Sequence, residues 1–278
     1  MVIMPRRLYQ VVNCTIDSLE QCSRNFQKDG FLILEDVIDI DVADKILNQV
    51  EVLSRSLCEL NNLVVEQTGY LTLVKNKRSA AGAIFNAINK SPSLNRFLFS
   101  VQFQKAAEIL LNSKFVLAPP RQMNLRTDHP LETNHLYPWH FDYAYNGSST
   151  NSLVFWVPLT AVDEEIGSLH VLTGSHMQSH EISINRKEID QRKNSALYFE
   201  IENMESSLDI FTEERLNLSF GQGVVFHSNL LHKSGQNLST KTRFAAQSRW
   251  FDATSQDSAR NHFRGGIDEG VDPNLYIN

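Results

Sequence analysis

The chain has little cysteine. Its three residues, Cys14, Cys22 and Cys58, are odd in number and lack the close pairing that holds zinc. A disulfide framework is therefore not expected, and the three read as separate thiols, buried or idle, in a reducing compartment. Long apolar runs are also missing. The opening MVIMPRRLYQVVNC carries two arginines but no hydrophobic core of signal-peptide length, and no later stretch suits a bilayer. Nor is there an excess of positive charge: 26 Lys and Arg face 32 Asp and Glu, interspersed, so no basic stripe addresses a nucleic acid. Internal repeats, low-complexity tracts and linkers are absent as well. What these absences leave is a soluble, cytoplasmic protein acting on a small molecule, with neither a nucleic acid nor a membrane as partner. Its 278 residues suffice for one large core and are read as a single domain; the oligomeric state is not legible.

Two halves differ in pattern. Residues 1–113 read as a mostly helical flank. IDSLEQCSRNFQKDG (16–30) is expected to be a helix stopped by Gly30, FLILEDVI (31–38) a buried strand, and 41–60 a helix burying Val42, Ile46, Val50, Leu53 and Leu57. Further helices are expected near 79–89 and 94–111. Residues 114–278 carry short strand-like runs separated by turns, with no helix-length segment between most neighbours, which predicts a β-sandwich or barrel. Residues 179–219 form a polar, charged insertion between two strands, of a length and make-up suited to a lid over the barrel mouth.

The stretch LYPWHFDYAY (136–145) crowds aromatic rings around His140 and Asp142. In an extended chain residues two apart point to the same face, so the pair is either two polar groups on a wet face or two ligands for one metal. A third ligand is available in GQGVVFHSNLLHKSGQN. His232 ends the apolar run where the strand must turn, at a barrel rim, whereas His227 lies within the strand and is read as a packed core histidine. Two histidines and one carboxylate on one side of a metal leave positions open, the arrangement of non-haem Fe(II) oxygenases. Arg243 follows eleven residues after His232, and alternation puts Arg243, Ala245, Gln247 and Arg249 on one strand face. If that face is outward, Arg243 is an ordinary surface arginine. If it is inward, the guanidinium needs an anion, and a keto dicarboxylate such as 2-oxoglutarate would supply one.

At this point the chain resembles the phytanoyl-CoA dioxygenase family of Fe(II)/2-oxoglutarate oxygenases. NFQKDGFLILEDVI, WHFD, VFWVPLTAVDEEIGSLHVLTGSHMQSH and GQGVVFHSNLLHKSGQNLSTKTR are similar to successive blocks of that family. The resemblance implies a double-stranded β-helix (jelly-roll) core, mainly β, with N-terminal helices. It implies His140, Asp142 and His232 as iron ligands and Arg243 as the partner of the far carboxylate of 2-oxoglutarate. Trp156 and Gln122 match co-substrate contacts of some members, which puts Gln122 on the strand before the pair. Tyr143 and Arg249 remain as substrate contacts. Ile166, Ser168 and Thr173 depart from the family's more usual Asn, Pro and Pro, which alters loop shape, and His170, His176 and His180 read as loop or strand residues. Because Asp142 fills the position where related halogenases carry a small residue, hydroxylation with O2, giving succinate and CO2, is expected over halogenation. The competing expectation is a jelly-roll metal- or sugar-binding protein, or a cupin-type enzyme that does not use 2-oxoglutarate.

Overall fold

The computed structural model describes residues 12–130, 132–133, 136–185, 187 and 198–266. Strand β1 (Asn13–Cys14) is followed by helix α1 (Leu19–Asp29), which ends as expected at Gly30: φ is +84° and its N–H bonds Phe26 O at 2.8 Å. Strand β2 (Phe31–Leu34) follows, and then α2 (Ile40–Leu60). The buried residues of α2 are Ala43, Ile46, Val50, Ser54 and Cys58, a stripe rotated from the expected one, and Leu53 stays exposed. The small side chains of that stripe admit α3 (Gly69–Asn76), where a Cβ on Gly69 would lie 2.9 Å from the Arg55 nitrogen. Helix α4 spans Arg78–Ile88. The single helix expected near 94–111 is two, α5 (Pro92–Leu98) and α6 (Val101–Leu110), divided where Ser100 caps the second through the Phe103 N–H.

The remaining strands are β3 (Val116–Leu117), β4 (Asn124–Asp128), β5 (Ser152–Pro158), β6 (Leu169–Leu172), β7 (Ile182–Ile184), β8 (Phe199–Ile201), β9 (Glu213–Leu216), β10 (Gly223–His227), β11 (His232–Ser234) and β12 (Arg243–Asp252). The large sheet runs β1-β2-β10-β5-β12-β3, with β4 also paired to β12; the small sheet runs β11-β6-β9, and β7 pairs β8. Strand β5 explains the geometry. Leu153, Phe155 and Val157 face the helices, packing with Phe103, Leu94 and Trp250. Val154 and Trp156 face the other way, against Leu169, Val171 and Leu216 of the small sheet. Every residue of β5 is buried, because both faces are covered, and a side chain such as Phe155 contributes roughly 2 kcal/mol by leaving water. Helices and strands therefore share one continuous core on the outer side of the large sheet, while the space between the two sheets is left for the site.

Three expectations are corrected here. The fold is mixed rather than mainly β, since helices exceed strands among the described residues. The insertion does not extend to 219: Glu213–Leu216 is a strand of the small sheet, paired along β6. Cys14 and Cys22, expected as separate thiols, are joined in a disulfide, because the turn at Ile16–Ser18 brings their Cα atoms to 6.7 Å; Cys58 is free and buried. No helix among the described residues is long and apolar enough to cross a membrane.

Candidate metal centre and co-substrate pocket

Two distant segments meet at a single antiparallel bridge. The His140 N–H donates to His232 O at 3.0 Å, and the His232 N–H donates back to His140 O at 2.9 Å. This pairing brings the imidazoles side by side, with ring centroids 4.2 Å apart and the planes tilted by 48°. A carbonyl can only accept, so the 2.8 Å contacts from His140 Nδ1 to Pro138 O and from His232 Nδ1 to Leu230 O put the hydrogen on Nδ1 in both rings. Both Nε2 lone pairs then point at the same space, which is how carbonyls commonly orient ligating histidines.

Asp142 completes the group, but not by strand alternation. After His140 the chain turns: Asp142 has helical φ −66° and ψ −27°, and a one-turn helix, Tyr143–Asn146, follows. The turn is held by Tyr143 N–H to Ser228 O at 3.0 Å and ended by Gly147 at φ +51°. Asp142 Oδ1 lies 3.5 Å from His140 Nε2 and 3.6 Å from His232 Nε2. All three residues are buried, and one ligand atom from each falls within 4.8 Å of the others. Burial, followed by the neighbouring His232, pushes His140 down to about 4, so its ring is neutral near pH 7. Burial alone would raise the Asp142 carboxyl, but the Arg249 guanidinium beside it holds it well below its ordinary range. Two imidazoles and one carboxylate form a donor set suited to a divalent metal.

Arg243 is fully buried, at 1% exposure. It sits directly across from Asp128 in the β4–β12 ladder, and its Nη2 donates to Asp128 Oδ2 at 2.7 Å. Arg126 grips the same carboxylate through Nη2 at 2.7 Å and Nε at 3.0 Å. One carboxylate thus serves two guanidiniums, and Arg243 Nε and Nη1 are buried without a hydrogen-bond partner. Burial lowers the arginine's pKa despite Asp128. Buried, unpaired donors on a cation fit an anion, although Arg243 itself is not among the residues that line the cavity. Trp156 lines the cavity, and its ring centroid lies 5.6 Å from the Arg243 guanidinium.

The cavity is about 520 Å³, and His140, Asp142, Trp156 and His232 line it together with Gln122 and Arg249. Gln122 lies on a short 3₁₀ turn, Pro120–Gln122, not on a strand as expected, because Pro119 and Pro120 break the extended chain. Its amide donates to Gly265 O. Arg249 Nε donates to Asp142 Oδ2 at 2.8 Å, so this arginine is paired with the carboxylate of the His–Asp–His group. Tyr143 packs half-buried beside Phe141 and Phe199 and is not among the residues lining the cavity, whereas Tyr137, Tyr145 and Tyr198 are. Part of the insertion expected to act as a lid, residues 186 and 188–197, lies outside the described residues. The described flank brings Tyr198 to the cavity and packs Phe199 edge-on against Tyr145.

His227 is a packed histidine. Burial, then His176, pushes it down to about 3, and its Nδ1 accepts from the Asn229 N–H at 3.1 Å. His170 pairs with Glu213 and His176 with Gln27 O, both away from the triad. Sequence reasoning did not find Asp128 or Arg126. The available signal was NLRTDHP, where alternation puts Arg126 and Asp128 on one face of a strand next to the one bearing Arg243.

The match to a family model settles kinship: residues 26–245 fit the model described as phytanoyl-CoA dioxygenase (PhyH). The chain belongs to this family. Among solved structures, this PhyH-family chain is similar to the epimerase SnoN in complex with Fe3+, alpha ketoglutarate and nogalamycin RO, with 17% identity, TM-score 0.59, and coverage of 86% of this chain and 85% of that one. It is also similar to EctD from S. alaskensis with bound Fe, at 17% identity and TM-score 0.56, covering 84% and 76% of the two chains. The carbocyclase SnoK from nogalamycin biosynthesis matches at 15% identity and TM-score 0.52, covering 88% and 91%. These likenesses show a shared fold. No curated protein sequence matches the chain.

Proposed function

We propose that the protein is an Fe(II)- and 2-oxoglutarate-dependent oxygenase with a jelly-roll core. In this reading it hydroxylates a C–H bond of a small molecule, consuming O2 and 2-oxoglutarate and releasing succinate and CO2. The observation that carries the reading is the buried His140–Asp142–His232 group together with Arg243, whose Nε and Nη1 lack a partner and whose guanidinium lies 5.6 Å from the ring of the cavity-lining Trp156. Those three residues would hold the iron, and Arg243 the distal carboxylate of 2-oxoglutarate. When bound, iron and keto acid together supply the oxidising power that activates dioxygen.

The rest of the site orients and shields. Trp156, Leu169 and Phe226 give the pocket an apolar floor, which keeps water from the reacting centre. Asp142 fills the carboxylate position, and this favours hydroxylation over halogen transfer. The matched solved structures include an epimerase and a carbocyclase, so the product separates the readings within the class: hydroxylation adds one oxygen atom, whereas epimerisation leaves the formula unchanged and ring formation removes hydrogen. The same reading has the protein in the cytoplasm, acting on a small molecule and on neither nucleic acid nor membrane.

The test is succinate release by the purified protein given Fe(II), ascorbate and 2-oxoglutarate, followed by a metabolite screen read by mass. Absence of both succinate and 2-oxoglutarate binding would point instead to a metal- or sugar-binding jelly-roll, or to a cupin-type enzyme.

A further inference from the structure

Arg249 carries none of the proposed chemistry, yet its guanidinium lies in the metal cavity. Nε donates to Asp142 Oδ2 at 2.8 Å, and Nη1 donates to the backbone oxygen of Gln122 at 3.1 Å. The two oxygens of Asp142 are therefore divided. Oδ1 faces both histidine Nε2 atoms, at 3.5 and 3.6 Å, while Oδ2 is turned to Arg249. Both side chains are well shielded, at 16% and 7% exposure, so the charge-assisted bond is short and little screened. The guanidinium is fixed at its other end too. Gln122 sits in a proline-braced turn and is itself tied to Gly265 O. Strand β12 carries Arg249 in register with Val154 of the central strand β5, so the arginine stands on a rigid support.

We propose that Arg249 is a positioning residue which holds Asp142 to a metal through Oδ1 alone. The carboxylate then takes one coordination position instead of two. This rests on the reading of His140, Asp142 and His232 as a metal site. Its consequence is specific: three protein donors leave about three positions open on a six-coordinate ion, enough for a chelating keto acid and one further small molecule. Released from Arg249, Oδ2 has no partner and turns to the metal, closing one of those positions. Strand β12 thus bears two arginines with separate tasks, Arg243 toward the co-substrate and Arg249 toward a metal ligand.

The experiment compares the wild-type chain with Arg249→Met, Arg249→Gln and Arg249→Lys, each loaded with Mn(II). Solvent-proton relaxation counts the exchangeable waters on the bound ion without any co-substrate. The expected result is a drop of roughly one third in Met and Gln, one water of about three, with Lys intermediate because it can reach Oδ2 but not Gln122 O as well. In parallel, 2-oxoglutarate and glutarate, which lacks the keto group, are titrated into the loaded proteins. Affinity for 2-oxoglutarate should fall roughly tenfold to a hundredfold in Met and Gln, the equivalent of one charge-assisted bond, while glutarate affinity is unchanged. Should Met fail to fold, Gln and Lys still carry the comparison. Unchanged water counts in the folded variants overturn the proposal, as does an equal loss of glutarate affinity, which would make Arg249 a direct co-substrate ligand. A wild-type chain that binds Mn(II) but not 2-oxoglutarate removes the proposed function, and the water count still decides the role of Arg249. No Mn(II) binding at all overturns both.

Discussion

Replacing Arg243 with Ala removes a guanidinium with two unpaired buried nitrogens, to which the proposed function assigns the far carboxylate of 2-oxoglutarate. The residue is 1% exposed, so a carboxylate bound there would be held in a water-poor setting. Truncating one partner of such a buried pair costs roughly 2–5 kcal/mol, equivalent to about a thirtyfold to several-thousandfold rise in the dissociation constant of 2-oxoglutarate. Metal affinity should change little, because Arg243 contacts Asp128 and not the triad. Nor is Asp128 stranded by the change, since Arg126 still grips it through Nε and Nη2. Arg243→Lys keeps the charge and a bond to Asp128 but lacks the planar fork, so it should recover only part of the loss. The assay is calorimetric titration of 2-oxoglutarate into Co(II)-loaded protein, after a metal titration of the same sample. An unchanged 2-oxoglutarate affinity in a folded Arg243→Ala protein would refute the assignment.

Alanine at His140, Asp142 or His232 should each abolish tight Co(II) binding by calorimetry, whereas His227→Ala should retain it; iron lost with His227 and kept without His232 would reverse the ligand choice. The depressed pKa of His227, about 3 in the fold against an ordinary 6.5, makes the unfolded chain bind more protons between those values. The metal-free protein should therefore lose stability as pH falls from 6.5 toward 3, and His227→Gln should flatten that part of a melting-temperature profile. Gly167 has φ +91°, and a Cβ there would lie 2.5 Å from Gly235 O and 3.0 Å from Arg243 Nη1. Gly167→Ala should cost about 1–3 kcal/mol and weaken 2-oxoglutarate binding as well, both readable by melting and titration; a neutral outcome would mean that the loop shifts freely.

What the sequence made legible follows from how local each cause is. Gly30 ends α1 because a left-handed cap is a property of one residue and its own helix, and the alternation that brings Gln247 and Arg249 to the cavity needs only a regular strand. The preference for His232 over His227 rests on a turn expected after it, but the turn precedes it: β10 ends at His227, and His232 opens β11. The conformation at WHFD was not legible in this way. Its aromatic residues favour strand locally, yet the chain turns because Tyr143 N–H finds Ser228 O, a partner eighty-five residues on. The three side chains do come together, but for another reason than strand alternation: a bridge joins His140 to His232, and a helical turn brings Asp142 to them.

The same limit explains Arg249. Position on β12 put it on the correct face, and from there a free arginine in a pocket suggested substrate. Whether it is free depends on Asp142, one hundred and seven residues earlier, and on the orientation of a proline-braced turn at Gln122. Asp128 is the complementary case. Its pairing with Arg243 is direct cross-strand register, β4 against β12, but the register could not be read before the sheet order was known. In both instances the residue type foretold that a charge must be matched, because an unpaired charge in this interior is costly. Only the tertiary pairing decided by what: Asp142 for Arg249, and for Arg243 one carboxylate shared with Arg126, which leaves two of its nitrogens without a partner.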